Sequence, residues 1–193
     1  SRLGFKPLPE AKSISRELVL TRSGTDVDLH WGLLREGRLR TDPTRDILAR
    51  RRRHDGTWIP GANDLLFILL VHPAFAKHLA GWGMGLHRVA DLLAFLRTQD
   101  FDIPSVVSLV RDNGVSAAAW ATLRWTQLLA EPHVPPKLPE LLAELEPPQW
   151  KRAWLDGWLR NDFPDRLSAW HWMRLVGFSW LLHDTRADAL RAF

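Results

Sequence analysis

Gly24-Thr25-Asp26-Val27-Asp28-Leu29-His30-Trp31 is the stretch on which the reading of this chain turns. Apolar and polar residues alternate along it. In a strand, successive side chains point to opposite faces, so Asp26, Asp28 and His30 share one face and Val27, Leu29 and Trp31 the other. The expectation is that the apolar face, Trp31 included, points into a core. Upstream, Arg22-Ser23-Gly24-Thr25 is a turn signal, and residues 12–22 hold a second strand-like run around Ile14, Leu18, Val19 and Leu20. The two runs predict an antiparallel hairpin. Two carboxylates on one face can hold a divalent cation for phosphoryl or nucleotidyl transfer. The same spacing also fits an edge strand with two solvated aspartates, because D-x-D is a short pattern.

Beyond the hairpin, residues 35–60 carry many charges together with Pro43, Gly56, Pro60 and Gly61. They read as irregular, apart from a short helix from Thr44 to the run Arg50-Arg51-Arg52-Arg53. From Asn63 the period becomes helical. Asn63 is the expected N-cap of a helix through His78, broken at Gly81 and Gly83. A second helix is expected over Leu86–Thr98 and packs with the first on the hairpin. Pro104 opens a third, stopped by Asn113-Gly114. Residues 116–130, 138–145 and 149–160 read as three more. Pro164 opens a last long helix through about His183, and a short terminal one follows. The predicted class is α+β: a β-rich region over residues 1–60, carrying the hairpin at the end of a sheet, and a helical domain over 61–193.

Composition narrows the possibilities. The 193 residues suffice for one substantial domain, and 46% hydrophobic with 25% charged residues is ordinary for a globular protein. Net charge is +4, with 21 Arg against 5 Lys. That skew matches phosphate recognition by guanidinium groups, and equally coding bias in a GC-rich genome. Cysteine is absent, which excludes disulfides, thiolate catalysis and cysteine zinc sites and agrees with a reducing, cytoplasmic setting. The longest apolar run, Leu65–Val71, is far short of the roughly 20 residues of a membrane span. The start at Ser1 reads as mid-fold, so a longer parent protein is expected.

Other chemistry-bearing groups are sparse. His72 and His78 are six apart, a poor helical spacing for a shared metal. His87 and Asp91, four apart, fit a carboxylate orienting an imidazole or a local surface pair. Lys77 beside His78 gives two donors for a phosphate. The arginine run could touch a polyphosphate, though such runs are usually solvated. Trp150, Trp154 and Trp158 recur every four residues, the spacing of a buried helix stripe. No P-loop, dinucleotide-binding turn, H-E-x-x-H or nucleophile elbow occurs.

Taken in order, Val27-Asp28-Leu29-His30-Trp31, Asp64-Leu65-Leu66, His72, Lys77-His78 and Asp91-Leu92-Leu93 form a series. Over roughly residues 12–98 it resembles the uncharacterised nucleotidyltransferase family of the minimal, polymerase-β-like superfamily. The resemblance implies a sheet carrying three carboxylates that bind two Mg²⁺ ions and an NTP. An acceptor hydroxyl would attack the α-phosphate and pyrophosphate would leave. Asp28 matches the later acid, as catalytic group and metal ligand; Asp26 is an accessory ligand; Lys77 and His78 lie near the nucleotide. The first two acids of that fold follow a Gly-Ser turn, and no such turn with its own D-x-D precedes residue 12. This chain is therefore expected to be incomplete as a catalyst alone. Another placement makes Asp26 and Asp28 the first pair, with Gly24-Thr25 as the cradle. The acceptor is not legible. The alternative to a transferase is a non-catalytic helical module that docks a partner protein. An RNA-binding role rests on composition alone, so nucleic acid is not the expected partner, and neither is a membrane.

Overall fold

A computed structural model of the chain describes residues 3–7, 16–76, 85–160 and 171–193. Strands β1 (Lys6–Pro7), β2 (Glu17–Arg22) and β3 (Thr25–His30) form an antiparallel sheet in that order. Asp28 stands opposite Val19, and Val27 opposite Leu20. Ser23 and Gly24 both take positive φ, 50° and 80°, as a two-residue turn between right-twisted strands requires.

The stretch expected to be irregular is more ordered. Helix α1 (Thr44–Ala49) stops before the arginine run, and a second hairpin follows, β4 (Arg52–His54) with β5 (Thr57–Ile59). Asp55 and Gly56 make its turn, again with positive φ at both positions. Asp-Gly between short runs is a strong hairpin signal, and it outweighs the helical preference of consecutive arginines.

The body contains α2 (Ala62–Ala76), α3 (Gly85–Thr98), α4 (Ile103–Asp112), α5 (Ser116–Ala130), α6 (Lys137–Glu144), α7 (Gln149–Arg160), α8 (His171–Leu181) and α9 (Arg186–Ala192). The architecture is α+β, a three-stranded antiparallel sheet followed by a mostly helical body. Among the described residues, no helix is long and apolar enough to cross a membrane. The expected break at Gly81 and Gly83, and the helix start at Pro164, lie outside the described residues.

Helix boundaries follow local chemistry. Asp102 caps α4 by accepting the Ser105 amide at 2.8 Å, with Pro104 in the first turn. Asn63 is not a cap: α2 begins one residue earlier, and the Asn63 side-chain oxygen accepts the Asp102 amide at 3.0 Å. The N-terminus of α5 is capped from 68 positions away, where Asp184 accepts from Ser116 N (3.1 Å), Ser116 Oγ (2.9 Å) and Ala117 N (3.0 Å).

Helix α2 is apolar around its circumference, the mark of a central helix. It packs against α3, α4 and α5, with Leu66, Phe67, Leu70, Val71 and Ala74 fully buried. Alanines at 117, 118, 119 and 121 let α5 lie close. Thr122 of α5 donates 2.7 Å to the Leu70 carbonyl, one residue past the carbonyl that Pro73 leaves without an amide.

Three packing expectations are overturned. Trp31 is not buried: it is 59% exposed, beside Leu29 at 48% and Val27 at 37%. The helices bury their apolar faces on one another, and among the described residues neither α2 nor α3 packs broadly on the hairpin. On α7, the buried line is Lys151, Leu155 and Leu159, one position on from the tryptophans. Trp150 is exposed, and Trp154 stacks on Trp158 at 4.3 Å.

Candidate functional site

The alternation along β3 holds, so Asp26, Asp28 and His30 share one face of the strand, and all three are exposed. Within the described sheet β3 is an edge strand. Neither aspartate is tied up in an ion pair among the described residues. Both are therefore open to an external partner, as a ligand-binding carboxylate must be.

At the end of β3 the chain enters a loop that is held by polar contacts. The Trp31 amide donates 3.0 Å to the Arg16 carbonyl. Gly32 is buried against Arg16, where a Cβ would come within 2.6 Å of its Cδ. Arg16 pairs with Asp42 and, at 3.5 Å, with Glu36. Burial pushes the Asp42 carboxyl up, but bonds from Thr44 and Arg16 outweigh it and hold it below its ordinary value. A cleft of about 470 Å³ lies here, lined by Arg16, Arg35, Glu36, Arg40, Asp42 and Arg191 among others. It is a charged cleft next to the strand, and sequence reasoning missed it because its arginines come from three separate segments.

The other candidates separate. Lys77 and His78 lie outside the described residues. Asp64 is buried and holds Arg50 in a two-pronged ion pair, Nε to Oδ2 at 3.1 Å and Nη2 to Oδ1 at 2.6 Å, so this acid of the D-L-L segment ties α2 to the start of the β4–β5 hairpin. His72 Nδ1 lies 3.3 Å from Arg88 Nη1. His87 and Asp91 are both exposed, with no hydrogen bond joining them among the described residues.

Nucleotidyltransferases generally work with divalent metals, so the donor set is the test. Carboxylate oxygens suit Mg²⁺. Alternate positions of a strand, however, stand about 7 Å apart, and no group of three His, Cys, Asp or Glu able to hold a metal exists among the described residues. Asp26 and Asp28 form at most part of a site, and no catalytic step through a metal follows from them alone.

No curated protein and no solved structure matches the chain. A family model does. It extends past the residues that carry the motif series, through α4 and α5, so these helices belong to the matched region. With residues 2–131 matched by the model described as "Uncharacterised nucleotidyltransferase", the chain belongs to that family.

Proposed function

We propose that this chain supplies the strand-borne acid of a nucleotidyltransferase site, with Asp28 as one carboxylate ligand of a Mg²⁺–NTP complex and Asp26 as an accessory ligand. The observation that carries this reading is Asp28 itself: an exposed carboxylate on an edge strand, inside the matched region, without an ion-pair partner among the described residues. When bound, the metal supplies Lewis acidity and clamps attacking and leaving oxygens. The chain's own part is to present the Asp28 carboxylate on the sheet edge, with Lys77 and His78 near the phosphates. The reaction is transfer of NMP from NTP to a hydroxyl acceptor, in a cytoplasmic setting.

The test compares the complete gene product with its Asp28→Ala variant, reading NTP-dependent labelling or pyrophosphate release. Activity is expected to fall to background while stability changes by no more than about 0.5 kcal/mol, as for an exposed side chain without packing. Full activity in the variant rejects Asp28 as a ligand.

The incomplete donor set favours a second reading, a non-catalytic module that docks a partner protein. In that case neither wild type nor variant labels any acceptor.

A further inference from the structure

We propose that the β4–β5 hairpin is a docking surface for single-stranded nucleic acid, independently of the site on β3. The four consecutive arginines have different surroundings. Arg50 is committed to Asp64, a buried carboxylate, which fixes the base of the hairpin to α2. Arg51, Arg52 and Arg53 are exposed, and among the described residues none has a carboxylate within ion-pair distance. Arg51 donates to the Leu48 carbonyl at 2.5 Å, and its guanidinium lies over the Trp58 ring, 4.9 Å from the centroid. Arg53 faces Trp58 directly in the ladder, and cross-strand partners share a face. One face of this short ribbon therefore carries an indole, 58% exposed, with the Arg51 guanidinium over it and Arg53 opposite it in the ladder. His54 and Asp55 form an exposed pair at the tip, 3.6 Å apart.

This is the chemistry of sequence-tolerant strand binding, an aromatic platform for a base with cations for the flanking phosphates. Arg51 and Arg53 are two positions apart along the chain, about 7 Å in extended backbone, so they spread along a strand rather than converge on one phosphate. The anchor at Arg50 presents the ribbon in a fixed position, which lowers the ordering cost of binding. A membrane is the poorer partner. Even with Leu48 of α1, the exposed apolar area is that of two side chains, whereas interfacial anchoring needs a broad apolar face.

The experiment uses the 193-residue chain and a fluorescein-labelled 12-mer of uridylate, followed by anisotropy at low and moderate salt. Wild type is expected to bind with an affinity that falls as salt rises. The Arg51→Gln/Arg53→Gln double variant should bind at least about 10-fold more weakly, with a flatter salt dependence. Trp58→Ala should weaken binding roughly 5-fold or more with the salt dependence kept, and Trp58→Phe should restore most of it. All variants retain the backbone ladder and the Arg50 anchor, so unchanged thermal unfolding is expected, and Trp58→Phe preserves the test where Trp58→Ala unfolds. The proposal is overturned by absence of binding, by equal binding of all variants, by ATP competing as well per phosphate as the oligomer, or by sedimentation with phosphatidylglycerol vesicles in place of oligomer binding.

Discussion

Arg40 and Asp188 are 148 positions apart and meet in a two-pronged ion pair, Nε to Oδ1 at 2.8 Å and Nη2 to Oδ2 at 2.7 Å. The Asp188 side chain is only 5% exposed. It also accepts from Thr185, completing a capping box at the start of α9, and from Arg191 at 3.3 Å. The Arg40 guanidinium holds the Asp188 carboxyl well below the usual carboxylate range, against the opposing effect of burial. Nearby, Arg40 N donates to the Asn113 carbonyl at 3.2 Å and Thr41 Oγ1 to Asn113 Oδ1 at 3.0 Å. The loop after β3 is thus secured by the far end of the chain. Polar anchors together with Leu33, Leu34 and Leu39 of the loop, which pack into the core, rather than burial beneath the apolar face of β3, link that strand to the helical body.

Removing Arg40 tests that anchor. Arg40→Ala leaves Asp188 buried but still bonded by Thr185 and Arg191, so the loss should be about 2 kcal/mol, below the 3–5 kcal/mol of a fully orphaned buried charge. Denaturant unfolding measures it. Limited proteolysis should show faster cleavage between residues 31 and 43 in the variant. An unchanged cleavage rate would mean that the loop is held by other contacts.

Gly37 offers a second probe of the same contact. Its φ is +81°, and a Cβ there would sit 2.2 Å from the Arg191 carbonyl oxygen, a backbone atom. Gly24 has nearly the same φ, +80°, with no atom of the described residues within 4 Å of an added Cβ. Both alanine variants incur left-handed strain of about 1–2 kcal/mol. Only Gly37→Ala adds a backbone clash, so it should destabilise by about 2 kcal/mol more than Gly24→Ala. Equal effects in parallel melts would show that α9 yields freely.

Acidification should destabilise the protein in two stages. Burial pushes the His183 imidazole down to about 4, with Arg38, Lys151 and Arg191 adding to it. Its ring packs on Phe75 at 4.9 Å, and neither ring nitrogen has a hydrogen-bond partner among the described residues. Between about pH 6.5 and pH 4 the unfolded chain binds more protons at this residue than the folded one. Stability is therefore full above that window and falls through it, by up to about 3 kcal/mol. Asp188 acts lower. Its depressed value gives stability that is present above the unfolded carboxylate range, near pH 3.9, and is lost below it. His183→Leu should flatten the upper stage and leave the lower. A variant retaining the upper stage would assign it to other groups.

Local chemistry made much of this fold legible. Pro104, Asn113 and Gly114 bracket α4, and α5 and α7 fall where their helical period starts and stops. The alternation on β3 set the register correctly, but alternation says only which side chains share a face, not whether a face is covered; hence Trp31. The second hairpin was available in Asp55-Gly56 and was masked by the arginines before it. The ion pairs Arg40–Asp188 and Arg50–Asp64 and the capping of α5 by Asp184 were not legible, because each depends on tertiary folding that brings distant segments together. Of the candidate site, sequence located the Asp28 strand but not the arginine-lined cleft beside it.

Asp28 and Leu29 are adjacent on one exposed strand and should respond in opposite ways. Asp28→Ala removes a carboxylate with no described ion-pair partner, so unfolding should shift little while any Mg²⁺-dependent activity of the complete gene product is lost. Leu29→Ser should leave both unfolding and metal dependence near wild type, because a side chain already 48% exposed has little burial to lose. If Leu29→Ser instead abolishes activity, the open apolar face of β3 is part of the functional surface.

The 193-residue chain alone should bind Mg²⁺–ATP weakly or not at all. Mg²⁺ wants octahedral oxygen geometry and dehydrates reluctantly. Two carboxylates at alternate positions of one strand leave it most of its water shell, and no third donor joins them among the described residues. The cleft beside β3 holds several guanidiniums, yet Arg16, Arg40 and Arg191 are already paired with Asp42, Glu36 or Asp188. Attraction of a triphosphate to Arg35 and the exposed arginines of the second hairpin would not need the metal, and it should fade as salt screens exposed charges. Calorimetric titration with ATP, with and without Mg²⁺ and at low and moderate salt, separates the two cases. The expected result is weak, salt-sensitive heat that is the same without metal. Micromolar binding that requires Mg²⁺ and survives moderate salt would show a complete site in this chain. It would make Asp26 and Asp28 the primary metal pair, with Gly24-Thr25 as the phosphate cradle.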